Sequence, residues 1–510
     1  MSVPSPRLCL RTAPHGDSVL SVSFSSQLIL ASGGEDSALL LHDLRCCPSS
    51  TSSEEASTSS STSAAPAAQP AARALFADPV AALAWNGEHV LYLGSGNSVH
   101  RVDTRKLSGG SSGRSGSEGA SSSNSVVVGA CGDEVSSLSV SRDGRALAVA
   151  DDSGAVSLLD LSRSDGIEGV GGGEGEQLSL ASSVAALSVA AEKGGRPTER
   201  RRLLPSRRLP RPHAGSLATA VAFRPGRAGE SLVSGGCDCS LARWDCCSGR
   251  LVRRWHAREI TSTGEDEEEQ ELEGEGGTTG EGTRTTGTTS RVFNPPFVHA
   301  LAAPPASAAK PWSGCVAAAL GDGSVAVLDC DARGEEPPRR PRRGDKTKKA
   351  SPSSSLSPLL SPPLTPFSGV LAVLRPEEGG HSAAATCVAF VGEGGGAEGG
   401  ERGSAPLVAS GGDDGRLLFW RWAEGAAADF DNEGAKGRRR RQQQLPAAWE
   451  AALSPLRGAA SSAAVAVAAS NGGKDRNRWK MQALAAAAPP HSSLVAAADT
   501  SRVVKVYRVE

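Results

Sequence analysis

Histidines and aspartates are the residues of this chain whose chemical type and spacing are compatible with acid–base catalysis. Four histidines each come before an alternating apolar run, and an aspartate follows in a later turn. The four pairs are His15 and Asp36, His213 and Asp238, His299 and Asp322, and His381 and Asp414. Histidine is the most frequent general acid or base, so each pair invites a catalytic interpretation. Because all four pairs occupy one position of a repeated pattern, we expect structural hydrogen bonds instead.

Motifs of catalytic classes do not accompany these pairs. The sequence contains no His-Glu-x-x-His and no Walker-type loop, and its Gly-x-Gly matches lie in low-complexity stretches. We therefore expect a protein that is not an enzyme and that has neither catalytic residues nor a cofactor.

A group of cysteines could in principle bind zinc through thiolates. The group consists of Cys237, Cys239, Cys246 and Cys247. The first two flank a turn aspartate and the last two are adjacent, which differs from the Cys-x-x-Cys pairs of zinc sites. The Cys46-Cys47 pair follows the corresponding segment near the N-terminus. These observations predict small structural residues and no metal site.

Repeated β-strands must position the histidines and aspartates. Each copy of the repeat has a histidine, an alternating apolar run, a small-residue run that closes on aspartate, and a second alternating run, which is a pattern of strands. The aspartate stands six positions before a tryptophan or its replacement, in the pairs Asp36 and His42, Asp238 and Trp244, Asp322 and Leu328, and Asp414 and Trp420. Weaker copies at 80–105, 135–160 and 494–507 bring the number of repeats to seven.

This pattern resembles the WD40 repeat family, in which a Gly-His start and a Trp-Asp end lie about 40–45 residues apart. The copy from His213 to Trp244-Asp245 carries the resemblance most completely, since it ends in a literal Trp-Asp. The resemblance implies four-stranded blades that close into an all-β, seven-bladed propeller. A strand at residues 7–12 is expected to complete the last blade.

Composition explains why 510 residues need not form several domains. The chain contains 60 glycines and 31 prolines, and aromatic residues make up only 4% of it. Seven repeats require about 280 residues. We predict one propeller domain over 1–510, with disordered low-complexity inserts at blade junctions. The predicted blades span approximately 15–45, 75–105, 131–162, 213–255, 292–330, 369–423 and 476–510. The predicted inserts span 46–74, 106–124, 163–211, 256–290, 331–368 and 424–475.

Charge and apolar content predict where the protein is found. The formal net charge is −2, so no global basic field attracts nucleic acid or a membrane surface. The chain begins without a secretory signal, and no apolar stretch approaches the length of a membrane span. Eleven cysteines then fit a reducing compartment. We expect an intracellular monomer of the nucleus, the cytoplasm or both.

Two Asp-x-Arg endings point to a partner. The resemblance implies a protein-interaction scaffold that is a substrate receptor of cullin-4 ubiquitin ligases, which docks on their adaptor DDB1 through a Trp-Asp-x-Arg ending. Arg45 and Arg105 lie in such endings, but His42 and Val102 replace the tryptophan. The substrate is not specified by the sequence. The alternatives are solvated blade-end arginines in a general scaffold, or a chromatin-associated peptide reader without a ligase.

Local runs of charge leave further alternatives open. The basic runs Arg339–Arg343, Lys346–Lys349 and Arg438–Arg441 fit nuclear import signals, nucleic-acid contacts or solvated inserts. The acidic run Glu265–Glu269 fits a solubilising loop or a site for a basic partner. Nucleic acid is not expected as the main partner.

Overall fold

Alternating and small-residue runs form short strands that pair with their sequence neighbours, which gives seven antiparallel sheets. The computed structural model describes residues 6–46, 67–107, 125–162, 206–210, 213, 215–224, 231–261, 294–304, 312–331, 369–376, 379–392, 407–422, 449–452, 480–487 and 493–509. The first strands of neighbouring sheets contact one another in an unbroken circle. The sheets are therefore the blades of a seven-bladed β-propeller, and the predicted all-β fold is confirmed.

Each blade has four strands, ordered from the centre of the ring outward. Blade one contains β2 (Val19–Phe24), β3 (Ile29–Gly34), β4 (Ala38–Asp43) and β6 (Ala72–Leu75). Blade two contains β7 (Val80–Asn86), β8 (Val90–Ser95), β9 (Ser98–Asp103) and β10 (Ser125–Ala130). Blade three contains β11 (Val135–Val140), β12 (Ala146–Asp151), β13 (Val156–Asp160) and β14 (Ser206–Arg208). Blade four contains β15 (Ala218–Phe223), β16 (Ser231–Gly236), β17 (Ser240–Asp245) and β18 (Arg250–His256).

The remaining three blades follow the same order. Blade five contains β19 (Val298–Ala302), β20 (Cys315–Leu320), β21 (Val325–Asp329) and β22 (Val370–Leu374). Blade six contains β23 (Ala385–Val391), β24 (Leu407–Gly412), β25 (Leu417–Trp422) and β26 (Trp449–Ala452). Blade seven contains β27 (Met481–Ala486), β28 (Leu494–Asp499), β29 (Val504–Val509) and β1 (Pro6–Thr12), with β5 (Ala67–Ala68) added outside β1. One short helix, α1 (Ala257–Thr261), follows β18, and 3-10 turns lie at Leu44–Cys46, Thr104–Lys106 and Trp312–Gly314.

The core consists of apolar layers between neighbouring blades. One layer joins Ala148 and Leu158 of blade three to Phe223 and Trp244 of blade four. The second strands are buried along nearly their whole length, since both of their faces contact another blade. Small residues fit between two closely packed sheets, which explains how a chain with few aromatic residues fills this interior.

Glycines in the second strands allow the next blade to approach. A Cβ atom on Gly33 would lie 2.5 Å from Val80 Cγ1, and one on Gly94 would lie 2.5 Å from Val135 Cγ1. Val80 and Val135 are the first residues of the first strands of the following blades. These glycines therefore set the spacing between blades.

The ring closes by pairing the two ends of the chain. β1 lies antiparallel to β29, and Pro6 pairs with Val509. The hydroxyl of Thr12 accepts a hydrogen bond from Val504 N at 3.1 Å. β1 is thus the outer strand of blade seven, although it comes first in the chain.

The antiparallel order gives the ring two rims. Rim A carries the connections from first to second and from third to fourth strands, and rim B carries the other connections, including those between blades. Five long stretches outside the described residues leave from third strands at rim A and lead toward fourth strands. They are 47–66, 108–124, 163–205, 332–368 and 423–448.

The structure corrects the predicted positions of several inserts. β14 and β26 lie inside the ranges 163–211 and 424–475, β6 begins inside 46–74 and ends one residue beyond it, and α1 lies inside 256–290. β22 completes blade five, although the sequence predicts blade six to begin at 369. β14, for example, is three residues long, pairs on one side only and contains no apolar residue, so no apolar alternation identifies it in the sequence. The disorder predicted for the inserts otherwise concerns residues outside the described ranges. No helix of the described part is long and apolar enough to cross a membrane.

Candidate functional site

Blade four contains a four-residue hydrogen-bond network at rim B. His213 lies before β15, with Nδ1 2.9 Å from Asp238 Oδ1 and Nε2 3.0 Å from Ser234 Oγ. Trp244 Nε1 donates to the same Ser234 oxygen at 3.0 Å. An indole can only donate and a carboxylate can only accept, so Nδ1 of His213 donates to Asp238. Nε2 accepts from the Ser234 hydroxyl in a neutral ring and donates to it in a protonated one. The network joins a loop, two strands and the turn between them.

Blade six repeats this network. His381 Nδ1 lies 3.0 Å from Asp414 Oδ1, and its Nε2 lies 2.9 Å from Ser410 Oγ. Trp420 Nε1 donates to Ser410 Oγ at 2.9 Å. The sequence therefore identifies the histidine, aspartate and tryptophan positions of both blades, while the serine is found only in the structure.

Blade one has the same network without tryptophan. His15 lies 3.0 Å from Asp36 Oδ1 and 2.8 Å from Ser32 Oγ. His42 occupies the tryptophan position and is 1% exposed. Burial, with a further contribution from the charge of His15, lowers the pKa of His42 to about 4.

The aspartates of these networks remain ionised. Burial by itself raises the pKa of Asp238, but the hydrogen bond and charge of His213 and the hydrogen bonds of Ser240 bring it down to about 2. The pKa values of Asp36 and Asp414 are lowered against the same effect of burial, through their histidines. Each histidine is thereby fixed in one orientation.

The geometry of the three networks is structural rather than catalytic. His213 and His381 are 0% exposed and His15 is 4% exposed. Both ring nitrogens of each histidine already have a partner, so no nitrogen is directed toward a substrate. The networks fix rim B of their blades.

The pair predicted in blade five is not formed. His299 lies inside β19, whereas the other three histidines precede their first strands. Asp322 accepts from Ser324 N at 2.9 Å in the turn after β20. Because β19 begins one residue before His299, this side chain cannot occupy the loop position, and the prediction for the pair is wrong.

The serine missed by sequence reasoning belongs to a Ser-Gly-Gly triplet. The triplets are Ser32-Gly33-Gly34, Ser234-Gly235-Gly236 and Ser410-Gly411-Gly412. The serine bonds the histidine, and the first glycine contacts the next blade. A Cβ on the second glycine would approach the histidine, at 2.6 Å from His213 Nδ1 in blade four. The recurrence of the triplet beside each correctly placed histidine is the sequence signal that identifies this position.

Arg45 and Arg105 lie at rim A of adjacent blades in the same conformation. Arg45 Nε and Nη2 donate to the two oxygens of Asp43 at 2.9 and 2.6 Å. The distances from Arg105 to Asp103 are 3.0 and 2.7 Å. The side chains of the two arginines are 54% and 61% exposed. The hydrogen bond from each arginine is the main cause of the lowered pKa of its aspartate.

The turn beneath these arginines recurs in other blades. Asp245 of the literal Trp-Asp ending accepts from Cys247 N at 3.0 Å, in the way that Asp43 accepts from Arg45 N. Asp160 and Asp329 accept from the amides two residues later as well. The aspartate therefore serves the turn, and the arginine is what distinguishes blades one and two.

The cysteine positions do not assemble a zinc site. Cys237 and Cys239 lie before β17 at rim B, and Cys246 and Cys247 follow it at rim A. A strand of this length separates its ends by about 17 Å, too far for ligands of one ion. No cluster of metal-ligating side chains occurs among the described residues. Burial raises the pKa of Cys246 to about 12.

A small cavity opens at rim B between blades four and five. Its volume is about 340 Å³, and it is lined by Cys237, Asp238, Cys239, His256, Arg258 and Phe297. Asp238 is already held by His213 and by Arg254, whose Nη2 lies 2.7 Å from Asp238 Oδ2. The carboxylate in the wall of this cavity is therefore already bonded within blade four.

No protein-family model and no curated protein matches this chain. The seven blades and the repeated networks are consistent with the WD40 repeat family. The fold alone assigns no activity.

Proposed function

We propose that this propeller is a non-enzymatic protein-interaction scaffold, and that rim A of blades one and two docks it on DDB1, the adaptor of cullin-4 ubiquitin ligases. The observation that carries the proposal is the pair of exposed guanidinium groups of Arg45 and Arg105. Each is oriented by two hydrogen bonds that it donates to an aspartate of its own turn. An oriented guanidinium loses less side-chain entropy when it forms charge-assisted bonds with a partner.

Resemblance of short segments supports the receptor role. The chain resembles WD repeat-containing protein 53 in the order of Asp151–Val156, Val221–Pro225, Asn294-Pro295 and Leu494–Tyr507. In a receptor of this kind the substrate is a second protein, bound by a surface that the adaptor leaves accessible. The partners are therefore proteins, and the proposed form before assembly is a monomer.

Purified proteins test the docking surface directly. We expect Arg45→Ala/Arg105→Ala to weaken adaptor binding at least about tenfold, which corresponds to about 1.4 kcal/mol. The matched control is Arg142→Ala/Arg145→Ala, which removes two exposed arginines from rim A of blade three. Equal binding by the native protein and the first variant would show that the two arginines are not the contact. No binding by the native protein would exclude the receptor role.

Rim B favours a second candidate, a reader of basic peptides. Acidic residues line this rim near the ring centre, among them Glu35, Asp133, Glu134 and Asp152. Burial, with the charges of Asp133 and Glu134, raises the pKa of Asp152, so an added positive charge would be stabilising here. A lysine-rich peptide that binds without any adaptor, and binds less after Asp133→Asn/Glu134→Gln, would support the reader instead.

The proposed compartments are the nucleus and the cytoplasm. The basic runs at 339–349 and 438–441 lie outside the described residues and are the candidate import signals. Nuclear accumulation of a fluorescent fusion that is lost when both runs are changed to glutamine would support this assignment.

A further inference from the structure

β18 is an outer strand with one unpaired side. It spans Arg250–His256 and pairs with β17, and no strand of the described part pairs with its other side. Leu251 and Val252 are 45% and 52% exposed. Neighbouring side chains of a strand usually point to opposite faces, yet here both apolar side chains are exposed. An outer strand with apolar side chains presents unpaired backbone groups that can pair with another chain.

The same protein shows that an outer strand of this shape accepts an additional strand. In blade seven, β5 pairs in parallel with β1 at Arg11 and Thr12. Both β1 and β18 have an irregularity one position after the residue opposite the tryptophan site. Counted from there, Arg254 and Trp255 of β18 correspond to Arg11 and Thr12. The irregularity of β18 therefore does not interrupt Arg254 and Trp255, the positions that correspond to those with which β5 pairs in β1.

The side chains around β18 are basic. Arg250 and Arg254 are exposed, and Arg253 lies with its guanidinium carbon 4.9 Å from the centre of the Trp255 ring. On the neighbouring outer strand β14, Arg207 donates to Cys247 O at 2.8 Å, in the turn that precedes β18. The guanidinium of Arg254 also forms an ion pair with Asp238.

We propose that β18 binds an extended segment of a partner protein as an added strand, in which apolar side chains alternate with carboxylates. Backbone hydrogen bonds form along Arg253–His256 and apolar side chains cover Leu251 and Val252. The carboxylates, on the other face of the added strand, approach Arg250, which lies on the face opposite to that of Leu251. The inference rests on the proposed role as a scaffold, but it requires neither Arg45 nor Arg105. It specifies where a second protein binds and the kind of segment it offers.

Binding of a short fluorescein-labelled peptide of alternating valine and glutamate, measured with the full chain, tests the proposal. We expect saturable binding that weakens at least about fivefold in Arg250→Glu. Arg73→Glu, an exposed arginine on outer strand β6 of blade one, is the matched control and is expected to bind as the native protein does. Arg250→Glu is expected to retain native adaptor binding, which separates this proposal from that of rim A.

The backbone contribution is tested with a second peptide. N-methylation of alternate valines removes backbone donors without changing charge, so we expect binding to be lost. Equal binding by the methylated peptide, equal effects of Arg250→Glu and Arg73→Glu, or no binding at all would each overturn the proposal. Binding that appears only after residues 265–269 are changed to glutamine or asparagine would show that the chain's own acidic run covers β18. This result would also overturn the proposal of an external partner.

Discussion

In each of blades four and six, one serine hydroxyl connects the buried histidine to the buried tryptophan. Ser410 Oγ accepts from Trp420 Nε1 and bonds His381 Nε2, and His381 in turn bonds Asp414. In blade one, Ser32 bonds His15 alone because His42 replaces the tryptophan. The network of blade one therefore contains three side chains, whereas those of blades four and six contain four each.

The serines allow a matched comparison of stability. Ser410→Ala leaves two buried groups without a partner, and Ser32→Ala leaves one, each costing about 1–3 kcal/mol. We expect Ser410→Ala to lower the free energy of unfolding by about 2–6 kcal/mol and Ser32→Ala by about half as much. Urea denaturation followed by tryptophan fluorescence measures both values, and equal losses would show that Trp420 does not depend on the hydroxyl.

His42 makes blade one sensitive to acid. Its pKa is about 4 in the folded protein against 6.5 for an unperturbed histidine. The unfolded chain therefore takes up a proton first as the pH falls, and stability is lost between about pH 6.5 and pH 4. We expect His42→Phe to reduce the fall in melting temperature between about pH 7 and pH 4.5. His256→Phe, at an exposed position, is the control, and an equal effect in both variants would contradict this explanation.

At the scale of elements, the spacing between blades depends on positions without a side chain. Gly94→Ala places a methyl group within 2.5 Å of Val135 Cγ1. Overpacking of this kind costs about 1–3 kcal/mol. We expect Val135→Ala to recover part of this loss in the double variant, as measured by a thermodynamic cycle. Gly132→Ala, whose Cβ would have its nearest neighbour at 3.8 Å, is the control and should change stability little.

Sequence patterns predicted the elements with two neighbours better than those with one. The second and third strands carry apolar residues on both faces, so runs such as Leu39–Asp43 identify them. β14 (Ser206–Arg208) contains no apolar residue, so no apolar pattern identifies it. This outer strand of three residues is stabilised by its pairing with β13. His299 was misplaced for a related reason: alternation locates a strand, but it does not fix its first residue.

At the scale of the whole molecule, the ring depends on the pairing of β1 with β29. Removing residues 1–12 unpairs β29 on its outer side and removes the buried Leu10 from the layer between blades seven and one. We expect a melting temperature lower by at least several degrees and a broader transition. Removal of residues 1–5 is the control, and an identical effect of both deletions would show that β1 does not close the ring.

The seven-bladed ring could be predicted because one pattern occurs seven times. The copies that match the pattern poorly are identified by their position between copies that match it well. The two proposed docking surfaces are less clearly specified by the sequence, since exposed arginines serve turns, ion pairs and partners alike. Arg45 and Arg105 were found through a motif, whereas β18 emerges only when its unpaired side is compared with β1.

Pro6 and Val509 are paired neighbours in blade seven. A short linker could join the segments that begin at Pro6 and end at Val509. New ends could be opened at rim A within 332–368, where a third strand is already separated from its fourth by a long connection. The loop-closure entropy of such a connection changes only slowly with its length. The fold thus permits circular permutation, and a reporter domain could be placed beside any chosen blade.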